Sequence, residues 1–146
     1  MAITQAIANN FKKLLLEGDS NFSSGSGDKY KLALYTSSAT LNSATTSYTT
    51  GNEVSNSGTY AAGGGALVNA GTSITAGVAR VDFGDLSFTG VTLTARGALI
   101  YNTSSTTTKS AVCVLDFGGD KTATSGTFTV QFPAATSTAA ILRISG

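Results

Sequence analysis

The sequence contains no histidine and no tryptophan, and only one cysteine and one proline, in 146 residues. Without histidine the chain lacks the commonest general base, the Ser-His-Asp and Cys-His nucleophile systems, and any zinc site with imidazole ligands. A single cysteine, Cys113, excludes an intrachain disulfide framework. We therefore predict that the protein is not an enzyme and needs no cofactor.

Charge is also scarce, since charged residues make up 12% of the chain and the formal net charge is +1. Basic residues are scattered, with Lys12-Lys13 the one adjacent pair, which is unlike the footprint of a nucleic-acid-binding protein. No stretch is apolar for long enough to cross a membrane, and the N-terminal lysines follow the apolar positions, unlike those of a signal peptide. The sequence predicts synthesis and folding in the cytosol, without nucleic-acid or membrane partners.

Short segments of alternating polarity dominate the chain, and its 41% hydrophobic content is enough for one core. Their spacing is typical of an all-β sandwich or barrel. The predicted strands are 29–36, 78–83, 91–94, 95–102, 111–117, 127–132 and 139–144. Between 37 and 77 we expect long loops and two short edge strands. We predict a mainly β fold, with residues 23–146 forming a single β-sandwich of jelly-roll or immunoglobulin-like type.

The first eighteen residues have a different periodicity. Apolar side chains recur there at helical spacing, with Thr4 as a candidate N-cap and Gly18 as a left-handed stop. We predict one α-helix, in an N-terminal arm of residues 1–22. Its apolar stripe supplies the candidate interface anchors Ile3, Ile7, Phe11, Leu14 and Leu15. The stripe must pack on its own sandwich or on a neighbouring subunit, and the pattern leaves both open.

Asp-Phe-Gly, the magnesium-binding triplet of protein kinases, occurs twice, in "VDFGD" (81–85) and "VLDFGGD" (114–120). The partner motifs of a kinase are missing, because there is no histidine for a His-Arg-Asp loop. We predict instead that each triplet ends a strand. Alternation then puts Phe83 and Phe117 on apolar faces and the preceding aspartates on the opposite faces, while glycine turns the chain.

Four aspartates near these strand ends are candidates for a calcium site: Asp82, Asp85, Asp116 and Asp120. Two of them, Asp82 and Asp116, are also candidates for a glycosidase carboxylate pair. The sequence favours neither, because it lacks an Asp-x-Asp-x-Asp run and a tryptophan sugar platform, and aspartate is an ordinary turn residue.

The remaining candidate side chains are expected to have structural roles. Cys113 lies mid-strand and is expected to be a small core residue. Arg80, Arg96 and Arg143 are expected to be exposed strand charges, with a cross-strand pair between Arg96 and Asp116 as the alternative for Arg96.

Three stretches carry a family resemblance: "ITQAIANNFKKLLLEG", "DKYKLALYTSSATLNSATTSYTTGNEVSNSGTYAAGGGAL" and "ARGALIYNTSSTTTKSAVCVLDFGGDKTATSGTFTVQFP" followed by "AAILRI". Together they resemble small virion structural proteins of tailed bacteriophages, many of them marine. The resemblance implies a virion component that is assembled in the host cytoplasm. It supplies no catalytic motif.

Two roles are compatible with this resemblance. The first is a capsid decoration (cement) protein, a homo-oligomer that binds the major capsid protein and stabilises the mature shell. The alternative is a tail, collar or fibre-associated module that makes its contacts through the loops between 37 and 65.

Overall fold

The computed structural model describes residues 2–133 and 140–145 of the chain. Within these ranges the chain forms one helix and eight strands: α1 (Asn9–Leu16), β1 (Ala6–Ile7), β2 (Tyr30–Tyr35), β3 (Gly65–Ala66), β4 (Asn69–Thr75), β5 (Val78–Phe83), β6 (Leu86–Asn102), β7 (Ser110–Val130) and β8 (Leu142–Ile144). Five strands form one sheet in the order β1-β7-β6-β2-β3, and three form a second in the order β4-β5-β8. Both sheets are antiparallel, which confirms the prediction of a mainly β sandwich with one short N-terminal helix.

The centre of the five-stranded sheet is buried on both faces. On one face, Tyr30 of β2 stacks on Phe22 with ring centroids 4.6 Å apart and lies 5.7 Å from Phe83 of the second sheet. On the other, the Tyr35 hydroxyl donates a hydrogen bond to the Thr49 carbonyl at 2.6 Å, within the loops between β2 and β3. Alternation in residues 29–36 predicts a strand with one face buried and the other in water, and this was wrong for β2, because these loops cover the face that was expected to meet water.

Strands β6 and β7 form one long ribbon, paired from Leu86 opposite Val130 to Asn102 opposite Ser110. Each joins two strands that were predicted as separate. Only residues 97–102 of β6 also pair with β2, so the far end of the ribbon is two-stranded.

The two Asp-Phe-Gly triplets differ in the structure. Strand β5 ends at Phe83, as predicted, and the Asp85 carboxylate then accepts a hydrogen bond from the Phe132 N–H at 2.9 Å. The second prediction was wrong, because β7 continues through Gly118 and Gly119. At this point one residue of β6, Arg96, lies opposite four residues of β7, 117–120, which form a large β-bulge. Gly118 in the bulge has a φ of +80°.

The N-terminal helix is shorter than predicted. Residues 2–8 are largely extended: the Thr4 N–H donates to the Leu41 carbonyl and the Ala8 N–H to the Val112 carbonyl, both at 2.9 Å. These backbone bonds replace a first helical turn, so Ala8, without a side-chain cap, holds the N-cap position that was predicted for Thr4. Gly18, with a φ of +78°, ends the helix as expected.

The rest of the predicted order is confirmed. Strands β3 and β4 are the short edge strands expected between 37 and 77, and β8 lies within the predicted strand 139–144, of which residue 139 lies outside the described residues. Residues Ile3, Phe11 and Phe22 belong to the same buried cluster as the strands, so residues 2–22 pack on the sandwich.

Candidate functional site

A cleft of about 350 Å³ lies between the helix segment and the three-stranded sheet. Most of its wall is apolar. The lining residues are Ile7, Phe11, Leu15, Ser20, Asn21, Phe22, Ser23, Thr72, Ala79, Arg80, Val81, Leu142, Arg143 and Ile144.

The helical wall is positioned by a four-residue spacing and a glycine turn. Phe11 and Leu15 are neighbours on one face of α1. After Gly18 the Asp19 N–H donates to the Leu14 carbonyl at 2.9 Å, which reverses the chain and brings Phe22 back against Phe11. Their rings meet edge to face at 5.9 Å.

The sheet wall is positioned by the register between β5 and β8. Val81 lies opposite Leu142, and Ala79 lies opposite Ile144. Ile74 of β4 lies opposite Ala79 from the other side. Residues that face each other across antiparallel strands project to the same face, so Ile74, Ala79 and Ile144 form an apolar row across all three strands.

This apolar row is open to solvent. Ile74 is 75% exposed and Ile144 is 60% exposed. Two other large apolar side chains are exposed among the described residues, Leu16 at the end of α1 and Val68 before β4. Exposed apolar side chains that adjoin one another mark contact surfaces more often than isolated ones do.

Arg80 was predicted to be exposed, and this was wrong, since it is only 9% exposed. Its Nε and Nη2 donate to the Ser73 hydroxyl of β4 at 3.1 and 2.8 Å. Within residues 2–133 and 140–145 no carboxylate lies within 4.0 Å of its guanidinium. Arg143, which is exposed as predicted, lies directly opposite Arg80 on β8.

The structure divides the predicted interface anchors into two groups. Ile3, Phe11 and Leu14 are buried, at 6%, 4% and 6% exposure, and Ile7 and Leu15 are half-buried against the same core. The helix stripe thus packs on its own sandwich, one of the two alternatives left open. Ile7, Phe11 and Leu15 also line the cleft, whereas Ile3 and Leu14 do not.

A tyrosine network around Glu53 covers the opposite face of the five-stranded sheet. The Glu53 carboxylate accepts hydrogen bonds from the Tyr48 hydroxyl at 2.5 Å, the Tyr60 hydroxyl at 2.8 Å and the Gly63 N–H at 2.7 Å. The Tyr101 hydroxyl donates to the Gly63 carbonyl at 2.6 Å. Burial raises the pKa of Tyr48, Tyr60 and Tyr101, the last to about 12, so these hydroxyls remain protonated donors.

Arg96 pairs with Asp116, which was the alternative to an exposed strand charge for Arg96. The Arg96 Nε lies 3.0 Å from the Asp116 Oδ1, which also accepts a hydrogen bond from the Gly118 N–H at 2.9 Å. These contacts, that with Arg96 foremost, lower the pKa of the Asp116 carboxyl. Across the described residues no three acidic or cysteine side chains converge as a metal site would require, and so the four candidate aspartates form no calcium cluster there.

Cys113 is a core residue, as predicted. It is 3% exposed, and burial raises the pKa of its thiol to about 12, so the thiol stays protonated at neutral pH. A protonated thiol is a poor nucleophile.

No helix in the described part of the chain is long and apolar enough to cross a membrane. Comparisons with protein-family models, with curated proteins and with solved structures found no match to this chain.

Proposed function

We propose that this chain is a structural protein of a bacteriophage particle, and that it acts as a capsid decoration protein. The apolar row of Ile74, Ala79 and Ile144 is the observation that carries the contact role. The three sequence stretches that resemble phage virion proteins support the particle as the setting.

The proposed mechanism is binding that depends on assembly. A protein that binds the assembled shell and not its free subunits stabilises the shell by mass action. The residues of the apolar row lie in hydrogen-bonded strands, so little ordering entropy opposes contact through the row. No catalysis is proposed.

Particle stability tests this function. Particles that lack the protein should release their genome at a lower temperature, measured with a DNA-binding dye, and added purified protein should restore the release temperature. Ile74→Asp places a charge in the apolar row and should fail to restore it. Thr107→Asp adds the same charge at an exposed position of the β6–β7 loop and should restore it fully.

Two results would contradict the proposal: equal stability of particles with and without the protein, or full restoration by Ile74→Asp. The number of copies per particle distinguishes a decoration protein from the alternative, a tail or collar module. A protein present in many copies, in a fixed ratio to the major capsid protein, fits decoration, whereas a few copies per particle would fit a tail or collar module.

A further inference from the structure

We propose that the protein forms a symmetric dimer in which the free edge of β4 pairs antiparallel with β4 of a second copy. The pairing joins the two three-stranded sheets into one sheet of six strands. It uses backbone groups at the edge and leaves the faces of the sheet open. The dimer is a property of the free protein, so it is tested without particles and independently of the proposed contact with a capsid.

Strand β4 is a long edge strand without the usual protection. It has seven residues, and β5 is its hydrogen-bonded neighbour. Within residues 2–133 and 140–145, no other backbone group forms a hydrogen bond with β4. Proteins usually protect such an edge with charged residues, proline or a bulge. The sequence of β4, "NAGTSIT", contains no charge and no proline, and its bulge lies before Gly71, so residues 71–75 remain regular.

The other edges are less able to pair. Strands β1 and β3 have two residues each, and β8 has three and carries Arg143. The two-stranded end of the β6–β7 ribbon carries Asp120 and Lys121 at its bulge. Short length, charge and bulges all discourage strand addition. In the described part of the chain, β4 is therefore the edge best suited to another strand.

The turn between β4 and β5 determines which backbone groups of β4 face outward. Thr75 lies opposite Val78, and the two turn residues between them have φ values of +51° and +76°. Such a two-residue turn is closed by a hydrogen bond between its flanking residues, here Thr75 and Val78. Bonded and non-bonded pairs alternate along an antiparallel ladder, so Ser73 is bonded to β5, whereas Thr72 and Ile74 are not. The N–H and C=O groups of Thr72 and Ile74 therefore point away from the sheet.

The spacing of these groups makes the edge complementary to itself, which favours a second copy as the partner. When two β4 strands run antiparallel about a two-fold axis at Ser73, Thr72 of each copy lies opposite the partner's Ile74. Each such pair exchanges two backbone hydrogen bonds, and no like charges meet, because the strand is uncharged. Residues directly opposite each other project to the same face. The dimer therefore presents two apolar rows side by side on one face of the joined sheet.

Sedimentation equilibrium of the purified full-length protein tests the stoichiometry. The 14.7 kDa chain should associate to a dimer as its concentration rises to about 1 mM, and association should stop there, because each copy has one β4 edge. A chain that stays monomeric throughout, or that grows beyond the dimer, would contradict the proposal. Either result would leave the particle-stability test of the proposed function unaffected.

Single cysteine substitutions locate the two-fold axis. Ser73→Cys places two thiols at a non-bonded pair whose Cα atoms lie about 4.5 Å apart, within the range of a disulfide. Thr75→Cys is the matched control, exposed on the same face of the same strand, but its two copies would lie about 13 Å or more apart. Mild oxidation should link Ser73→Cys into a covalent dimer and leave Thr75→Cys unlinked, since Cys113 is buried in both. Equal linking of the two variants would contradict the register.

Removal of an outward N–H tests the backbone bonds themselves. Ile74→Pro and Ile74→Ala both lose the isoleucine side chain, but only proline removes the N–H that donates to the partner's Thr72. Two hydrogen bonds are lost per dimer, so the dissociation constant of Ile74→Pro should exceed that of Ile74→Ala by about tenfold or more. Equal constants would contradict pairing through β4. Should Ile74→Pro fail to fold, the two cysteine variants decide the proposal.

Discussion

Each of the two sheets contains an isoleucine within a strand, Ile100 in the five-stranded sheet and Ile74 in the three-stranded sheet. Ile100 is fully buried, whereas Ile74 is 75% exposed. Ile100 lies in β6, at the centre of the five-stranded sheet, with partners on both sides in β2 and β7. Ile74 lies in β4, at the edge of the three-stranded sheet. The centre of the first sheet therefore belongs to the core, whereas the edge of the second sheet presents surface.

Polar groups divide between the two sheets in the same way. Glu53 is enclosed by tyrosine hydroxyls and a backbone N–H that satisfy it. Arg80 of the three-stranded sheet is also buried, and its Nε and Nη2 donate to one neutral partner, the Ser73 hydroxyl of the neighbouring strand. A fully satisfied buried network, such as the one around Glu53, fixes one arrangement of its members.

Truncation of the two isoleucines should give the largest contrast. Ile100→Ala leaves a cavity in a closely packed core and should lower the free energy of unfolding by about 2–5 kcal/mol. Ile74→Ala removes contacts that are mostly with water and should change it by less than about 0.5 kcal/mol. Urea denaturation measures both, and similar losses in the two variants would contradict the division between the sheets.

Two glycines with left-handed backbone provide a second contrast. A Cβ on Gly64, at a φ of +83°, would lie 1.8 Å from the Leu32 carbonyl oxygen of β2, whereas one on Gly77, at +76° in the β4–β5 turn, meets nothing within 4 Å. Both alanine variants incur the left-handed cost of about 1–2 kcal/mol. Gly64→Ala should lose a further 1–3 kcal/mol or so from overpacking. In thermal unfolding, Gly77→Ala should have a clearly higher Tm than Gly64→Ala. The reverse order would show that Gly64 is not tightly packed against β2.

Local pattern was enough to predict the class of fold and several strands. Alternation located β5 to the residue, and it placed Phe83 correctly on a buried face. It failed at Gly118, because a bulge and a strand end both call for a glycine with positive φ, and only the partner strand decides between them. It failed at Ile3 and Ile7 because extended residues that reach a core can share helical spacing by coincidence.

The candidate site depends on contacts that are distant along the chain. Arg80 faces Arg143 through a strand register that spans more than sixty residues, and no local signal encodes that register. The tyrosines around Glu53 come from one strand, β6, and from the irregular segment between β2 and β3, so no period connects them. The helix stripe did indicate part of the cleft, since Ile7, Phe11 and Leu15 line it.

The pair of Arg96 and Asp116, on the bulge where the ribbon leaves the five-stranded sheet, should give the smallest effect. The pKa of Asp116 is lowered from its ordinary value of 3.8, so the native state binds the proton less readily than the unfolded state. The stability that it contributes is therefore fully present above that ordinary value and is lost as the pH falls through the lowered pKa.

Asp116→Asn should lower the Tm slightly at neutral pH, and the difference from wild type should vanish in acid. Asp120→Asn, an exposed carboxylate of the same bulge, is the control and should change the Tm less. Because the pair is partly exposed, added salt should also reduce the Asp116→Asn difference. A difference that persisted in acid would mean that the amide disturbs the bulge itself, through the hydrogen bond that Asp116 accepts from the Gly118 N–H, and not through the lost charge.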